Sequence, residues 1–156
     1  EVGSIRDIGW FGNEKSKLWR YNQYYFSDLN STGSEKRRKI HQKLLESWYS
    51  SVRYGQRPAW DPYPISLRIV NLIKAHETGF LLSPRDLTSI FIQTKYLSKN
   101  LEYHLMGNHL ISNAKALIFA GLFLNSVLCR KYRNKGYRVL RKQIHEQILN
   151  FLASPF

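Results

Sequence analysis

Residues 100–123 read NLEYHLMGNHLISNAKALIFAGLF, and this stretch decides the fold class. Its second half is apolar on nearly all sides, which predicts a helix from about His109 to Leu128 that lies between neighbouring helices. Gly107 and Asn108 are typical of a helix stop followed by the N-cap of the next helix. The stretch therefore predicts two consecutive helices that are joined by a short turn.

Segments on the N-terminal side also place apolar residues at helical spacing. Residues 35–52 predict a helix that is capped by Ser34. Its expected apolar face consists of Ile40, Leu44, Leu45, Trp48 and Val52. A second helix is expected from about Pro64 to Gly79. Its expected apolar face consists of Ile65, Ile69, Leu72 and Ile73.

A third helix is predicted to begin after the cap Ser83, with Pro84 in its first turn, and to end at Gly107. Its expected apolar face consists of Leu87, Ile90, Phe91, Leu97, Leu101 and Leu105. A last helix is expected over residues 134–152. Because no strand-like alternation persists, residues 1–156 predict one all-α domain of antiparallel helical hairpins. Periodicity alone leaves a bundle and part of a helical toroid open.

The chain is strongly basic, since 24 Lys and Arg residues against 11 Asp and Glu give a net charge of +13. A field of this sign attracts polyanions, and it leaves acidic polysaccharide, nucleic acid and anionic lipid open as partners. The densest basic stretches are residues 36–39 and 130–142. A solvated helix surface is the default interpretation of such stretches, and a track for a polyanion is the alternative.

Cysteine content and hydropathy argue against a disulfide-linked, cysteine–metal or membrane-spanning protein. Cys129 is the only cysteine, so the sequence offers no intrachain disulfide and no cysteine metal motif. The longest apolar stretch, residues 114–128, is interrupted by Lys115, Asn125 and Ser126. It is also shorter than the ~20 residues that a spanning helix needs. We therefore expect no membrane partner and no cofactor.

Two segments combine aromatic and hydrogen-bonding side chains. Residues 19–26 read WRYNQYYF, whose aromatic faces suit sugar rings or bases. The alternative is a segment that enters the core. In residues 60–71, WDPYPISLRIVN, Arg68 and Asn71 lie on the first turns of an apolar helix. They either reach a polar cleft or hold the preceding loop by hydrogen bonds.

A third segment, residues 100–113, places His104, Asn108 and His109 around one helix–helix junction. The two histidines are five residues apart and lack the carboxylate arrangement of a zinc site, so no metal is expected. Neutral hydrogen-bonding groups at a helix N-terminus instead suit a bound carboxylate.

Together, these segments resemble the N-terminal region of heparinase II/III-type polysaccharide lyases. The resemblance rests on YNQYYFSDL (21–29), WDPYPISLRIVNLIK (60–74) and NLEYHLMGNHLISNAKALIFAGLF (100–123), in order and at compatible spacing. It implies an incomplete (α/α) toroid followed by a β-sandwich domain, with the substrate in the cleft between them. It also implies a bacterial periplasmic or secreted enzyme that cleaves uronate-containing polysaccharide, heparin-like or exopolysaccharide, by β-elimination.

The resemblance also implies roles for individual residues. In such lyases, donors share the charge of the uronate carboxylate, a base removes the neighbouring proton and an acid assists the leaving oxygen. Asn108 corresponds to the carboxylate neutraliser, and His109 lies beside it at the catalytic site. The candidate substrate-binding residues are Trp19, Asn22, Tyr24, Tyr25, Trp60, Arg68 and His104.

The end of the chain departs from the family pattern. In the family, a catalytic tyrosine follows the helix that corresponds to residues 138–149, and a further histidine comes from the β domain. Here residues 147–156 read QILNFLASPF, so neither role is assigned. We expect the 156-residue chain to be inactive alone, with the β domain as its missing partner. The alternatives are a non-catalytic module that binds acidic polysaccharide or, less favoured, nucleic acid, and a remnant without the chemistry.

Overall fold

A computed structural model describes residues 9–12, 15–105 and 107–153, of which residues 147–153 are described as backbone only. Within these ranges the chain forms six α-helices, two short 3-10 helices and no strand. The α-helices are α1 (Lys17–Tyr24), α2 (Arg38–Ser51), α3 (Pro62–Glu77), α4 (Pro84–Lys99), α5 (Gly107–Phe123) and α6 (Val127–Ala153). The all-α class is confirmed, whereas the toroid arrangement and the single domain stay predictions. Internal contacts define two compact units, Glu1–Leu81 and Leu82–Phe156.

Among the described residues, the first helix of the first unit is α1, which the apolar pattern did not predict. Ser16 caps it, and the Ser16 Oγ accepts a hydrogen bond of 3.2 Å from the Trp19 N–H. With eight residues it spans little more than two turns, which is short for a helical period to be read from the sequence. The 3-10 helix Ser27–Asn30 follows, after Phe26 adopts a left-handed φ of 53°.

The start of α2 differs from the prediction. The residues expected to open it form a 3-10 helix, Ser34–Arg37, and α2 begins at Arg38 without a side-chain cap, so the assignment of Ser34 as N-cap is wrong. Ile40, expected in the core, is 62% exposed, whereas His41 is 3% exposed. His41 is buried because its ring packs on Phe80 and its Nε2 bonds a carboxylate, neither of which an apolar pattern records.

Helix α3 forms the centre of the first unit. It begins at Pro62, two residues before the predicted Pro64, and ends at Glu77, before Gly79 adopts a φ of +98°. The predicted apolar face is confirmed, since all its members are buried: Ile65, Ile69, Leu72 and Ile73.

In the second unit, α4 starts as predicted and ends early. Ser83 and Asp86 form a reciprocal capping box across the first turn, which begins at Pro84. The helix ends at Lys99 rather than Gly107, so Leu105, expected on its apolar face, is 52% exposed. Leu87, at the start of the same face, is also exposed. The chain leaves the helix because the backbone N–H of Glu102 donates to Asn113 Oδ1 at 2.9 Å instead of to a helical carbonyl.

Helices α5 and α6 form the closest helix pair of the second unit. Helix α5 already begins at Gly107, so Asn108 lies within its first turn and is not the predicted N-cap. The helix ends at Phe123, five residues before Leu128, and α6 begins at Val127 rather than Asn134. The two backbones meet at glycines: a Cβ on Gly136 would lie 2.7 Å from the Ala114 carbonyl oxygen.

No helix in the described ranges is long and apolar enough to cross a membrane. The comparison of residues 147–156 with the family tyrosine segment falls partly on residues 154–156, which lie outside the described residues.

Candidate functional site

The predicted site residues fall in both units. The first unit contains Trp19, Asn22, Tyr24, Tyr25, Trp60 and Arg68, and the second contains His104, Asn108 and His109.

Helix α1 presents two of the candidates towards solvent. Trp19 is half-buried, and the Lys15 Nζ lies 5.7 Å from the centroid of its ring. Asn22 is exposed, and its Nδ2 donates to the Leu18 carbonyl oxygen at 3.0 Å. These two side chains are accessible to a ligand on the surface of α1.

Tyr24 and Tyr25, at the end of α1, are buried. The Tyr24 hydroxyl donates to the Trp10 carbonyl oxygen, and the Tyr25 ring packs edge-on against Tyr63 at 6.0 Å between centroids. Burial raises the pKa of each phenol to about 12. Both are therefore neutral at physiological pH, and both contribute to the core.

Arg68 connects α3 to two other segments of the first unit. Its side chain is fully buried, and Nη1 donates to the Tyr24 carbonyl oxygen at 3.0 Å while Nη2 donates to that of Ala59 at 3.1 Å. The guanidinium also lies 4.5 Å from the centroid of the Trp48 ring. Burial lowers the pKa of Arg68 to about 9, so it stays protonated at neutral pH. Arg68 thus holds the end of α1 and the loop before α3.

Trp60 and Asn71 belong to the same connection. Trp60 is buried and follows the Ala59 carbonyl group that Arg68 binds. The Asn71 Nδ2 donates to the Tyr25 carbonyl oxygen at 2.8 Å. These hydrogen bonds agree with the interpretation that Arg68 and Asn71 hold neighbouring backbone segments, rather than reach a polar cleft.

A buried carboxylate at the start of α3 was not singled out from the sequence. Asp61 accepts hydrogen bonds from the Tyr21 hydroxyl and from Arg57 Nε, and Lys17 Nζ lies 3.8 Å from its Oδ2. Because these groups occupy its carboxylate, Asp61 makes no side-chain cap to α3. The available signal was an acidic residue inside an aromatic, proline-rich stretch immediately before a helix.

The candidates of the second unit surround the first turn of α5. Asn108 is exposed within this turn, and His104 is exposed in the preceding turn. His109 Nδ1 lies 3.4 Å from Glu102 Oε1, and the imidazole side chain is 38% exposed. An imidazole that directs one nitrogen to a carboxylate and remains accessible can exchange a proton with a ligand.

Two residues that support His109 were missed from the sequence. Asn113 is fully buried on α5, where its Oδ1 accepts from the Glu102 N–H and its Nδ2 donates to Glu102 Oε2 at 3.1 Å. Glu102 is 7% exposed and is therefore fixed beside His109. The sequence offered only the spacing of these residues as a signal: His109 follows Glu102 by seven residues, and Asn113 follows His109 by four. The turn before α5 is what brings the three side chains together.

A cavity of about 390 Å³ borders this turn. Its lining residues are Tyr103, Leu110, Arg138, Val139, Lys142, Gln143 and Glu146. Lys142 Nζ lies 3.7 Å from Glu146 Oε1, whereas Arg138 forms no ion pair with a described residue. Tyr103 and Leu110 of this lining directly follow Glu102 and His109 in sequence, and the lining contains two cations and one carboxylate.

The described side chains include no group of three His, Cys, Asp or Glu residues that can hold a metal ion.

Comparison with known protein families identifies the class. The family model described as heparinase II/III N-terminus matches residues 7–151. The chain therefore belongs to the heparinase II/III N-terminal domain family. Among curated proteins and among solved structures, no significant match was found.

Proposed function

We propose that this chain is the N-terminal helical part of a polysaccharide lyase that acts on uronate-containing acidic polysaccharide by β-elimination. The supporting observation is the accessible Asn108–His109 pair in the first turn of α5, in a chain of this family. The next residue, Leu110, lines a cavity together with Arg138 and Lys142.

Asn108 is assigned to the uronate carboxylate. The proton to be removed lies on the carbon next to this carboxylate, and it becomes acidic only when the developing enolate charge is shared. A neutral amide donates to the carboxylate without carrying a charge of its own. The N–H groups of the first turn of α5 lack partners within the helix and favour the same anion.

His109 is assigned either to proton transfer or to donating a hydrogen bond to the uronate carboxylate. If Nδ1 carries the proton that faces Glu102 Oε1, the lone pair lies on Nε2, which suits a general base. The base removes the carbon-bound proton, the electron pair forms a carbon–carbon double bond, and the glycosidic carbon–oxygen bond breaks. The leaving oxygen takes up a proton from an acid that no described residue is assigned to supply.

The first unit is assigned to substrate binding in two ways. Trp19 and Asn22 are accessible and suit direct contact with a sugar ring and its hydroxyls. Tyr24, Tyr25, Trp60 and Arg68 are buried, so their contribution to binding runs through the segments that they hold. His104, exposed before α5, is assigned to direct contact.

Binding of a uronate oligosaccharide, measured by titration calorimetry, tests the assignment. Asn108→Ala should weaken binding by about ten- to a hundredfold, because a hydrogen bond to a charged group contributes roughly 1.5–3 kcal/mol. The control is Lys115→Ala, an exposed charge on the same helix outside the cavity lining. A loss that is equal in both variants, or absent from Asn108→Ala, would contradict the site.

The alternative is a non-catalytic module that binds polyanions through the net charge of +13 alone. It predicts that nucleic acid and polysaccharide bind alike, with affinity falling steeply and linearly on a logarithmic salt scale. A preference for the uronate polymer that persists at physiological salt would exclude this alternative.

A further inference from the structure

The first unit contains a cavity that the proposed function does not use. It has a volume of about 320 Å³ and lies between the 3-10 helix Ser34–Arg37, the start of α2 and the end of α3. Leu29 and Phe80 contribute its apolar lining. We call it the Arg38–Lys74 cavity after its two cationic residues. Its volume lies at the lower end of the range of small-ligand sites, roughly 300–1,000 Å³.

The cations of this cavity lack partners in the protein. Arg38 and Lys74 come from different helices, and neither forms an ion pair or a side-chain hydrogen bond with a described residue. Glu35 is the single carboxylate among the described lining residues. The Ser34 hydroxyl also lines the cavity without a hydrogen-bond partner among the described residues.

One side of the cavity borders a second charge cluster, formed by Asp28, Arg37 and His41. His41 lines it, and its Nε2 lies 2.7 Å from Asp28 Oδ2. Arg37 also binds this carboxylate, with Nη2 3.0 Å from Asp28 Oδ1. The Asp28 charge is therefore compensated locally and does not offset Arg38 or Lys74.

Both cations also lie near the C-terminus of α3, which gives a purely structural explanation for them. Lys74 is in the last turn, and Arg38 Nη2 is 3.1 Å from the position of a Cβ on Gly79. The helix end carries only about half a negative charge. Its carbonyl groups are also satisfied locally, since those of Lys74, Ala75 and His76 accept from Thr78, Phe80 and Gly79. Two cations against Glu35 and this half charge leave the cavity positive.

We propose that the Arg38–Lys74 cavity binds a tetrahedral oxyanion, a sulfate or phosphate group, either free or carried by a small ligand such as a sugar. Arg38, Lys74 and Ser34 belong to three different elements that line one cavity, so their donors are not the two nitrogens of a single guanidinium. A tetrahedral oxyanion accepts from several directions, whereas a planar carboxylate is matched best by one bidentate donor. The proposal concerns the first unit alone and holds whether or not the chain belongs to a working lyase.

Titration of the isotope-labelled chain with sodium sulfate, sodium phosphate and sodium acetate at constant ionic strength tests the proposal. We expect saturable shifts of the amide signals around Ser34 and Thr78 with sulfate or phosphate, and none with acetate. Lys74→Ala and Arg38→Ala should each weaken binding about tenfold, as expected for loss of one charge-assisted hydrogen bond. Glu35→Gln should strengthen binding. The matched control is Lys43→Ala, an exposed cation of α2 outside the lining.

A sulfated disaccharide and its unsulfated counterpart distinguish the source of the group. Tighter binding of the sulfated form than of inorganic sulfate identifies a sugar-borne ester, and equal binding identifies the free anion. Acetate binding as tightly as sulfate would overturn the proposed class of ligand. Unchanged affinity in Lys74→Ala, an exposed residue whose loss should not affect folding, would overturn the site, as would an equal loss in Lys43→Ala.

Discussion

Residues 60–71 of the first unit and the α5 turn of the second both contain hydrogen-bonding side chains that were predicted to bind substrate, yet these polar groups are used differently. In the first unit, Arg68 is fully buried and its donors reach backbone carbonyl groups. In the second, Asn108 is exposed, and the His109 side chain is 38% exposed beside Glu102. Residue type alone therefore does not separate a structural polar residue from an available one. The face of the helix does, because Arg68 lies on the buried face of α3, whereas Asn108 lies on an exposed face of α5.

The largest expected effect concerns Arg68. Arg68→Ala leaves the carbonyl groups of Tyr24 and Ala59 without their donor and opens a void beside Trp48, so the free energy of unfolding should fall by about 3 kcal/mol or more. Urea unfolding followed by circular dichroism measures it. Arg53→Ala, an exposed arginine of the same unit, should change it by less than about 0.5 kcal/mol. Equal effects of the two variants would remove the contrast between buried and exposed polar residues.

An intermediate effect is expected at Asn113. Asn113→Ala deprives the Glu102 N–H and carboxylate of their buried partner, and should lower the free energy of unfolding by about 2 kcal/mol. Asn108→Ala serves as the matched amide control and should leave stability within about 0.5 kcal/mol. If Asn108→Ala is the more destabilising variant, then Asn108 is a structural residue and the assignment of available groups to the second unit fails.

The smallest effect is expected at the surface cluster around Asp28. Hydrogen bonds from Arg37 and then His41 hold the pKa of the Asp28 carboxyl well below its usual range. The native state therefore releases this proton more readily than the unfolded state does. The stabilising contribution is complete above the ordinary value of 3.8 and is lost as the pH falls below it. Because the side chain is 59% exposed, we expect a contribution of about 1 kcal/mol or less.

The measurement for Asp28 is the pH dependence of urea unfolding. Asp28→Asn should be slightly less stable than the wild type at neutral pH, and the two curves should converge in acid. Glu77→Gln, a change at an exposed carboxylate without an ion pair in the described part of the chain, is the control. A gap that widens as the pH falls would mean that the sign of the shift is wrong.

Helix starts were predictable where the signal is local. Ser83 caps α4 as expected, although its partner Asp86 was not predicted, and the apolar face of α3 is buried as expected. Helix ends were less predictable, because they depend on partners far along the chain. The end of α4 at Lys99 depends on Asn113, which lies more than ten residues later. The burial of His41 in place of Ile40 likewise depends on Asp28, outside the helix.

The candidate site was predictable in its residue types and less so in its geometry. Family resemblance led to Asn108 and His109, and the match over residues 7–151 agrees with the family. Glu102 and Asn113 were missed because a carboxylate and an amide in these positions have many ordinary uses. Only the structure of the turn between α4 and α5 shows that Glu102 contacts His109 and that Asn113 holds Glu102 in place.

The glycines between α5 and α6 have a consequence for the cavity as well as for packing. A Cβ added to Gly136 would lie only 2.7 Å from the Ala114 carbonyl oxygen, and one added to Gly121 only 2.6 Å from the Arg133 Cβ, so the two helices pack this closely only with glycine at both positions. Leu110 of α5 and Val139 of α6 line the same cavity. Residues without a side chain thus set the separation of the two helices that form it.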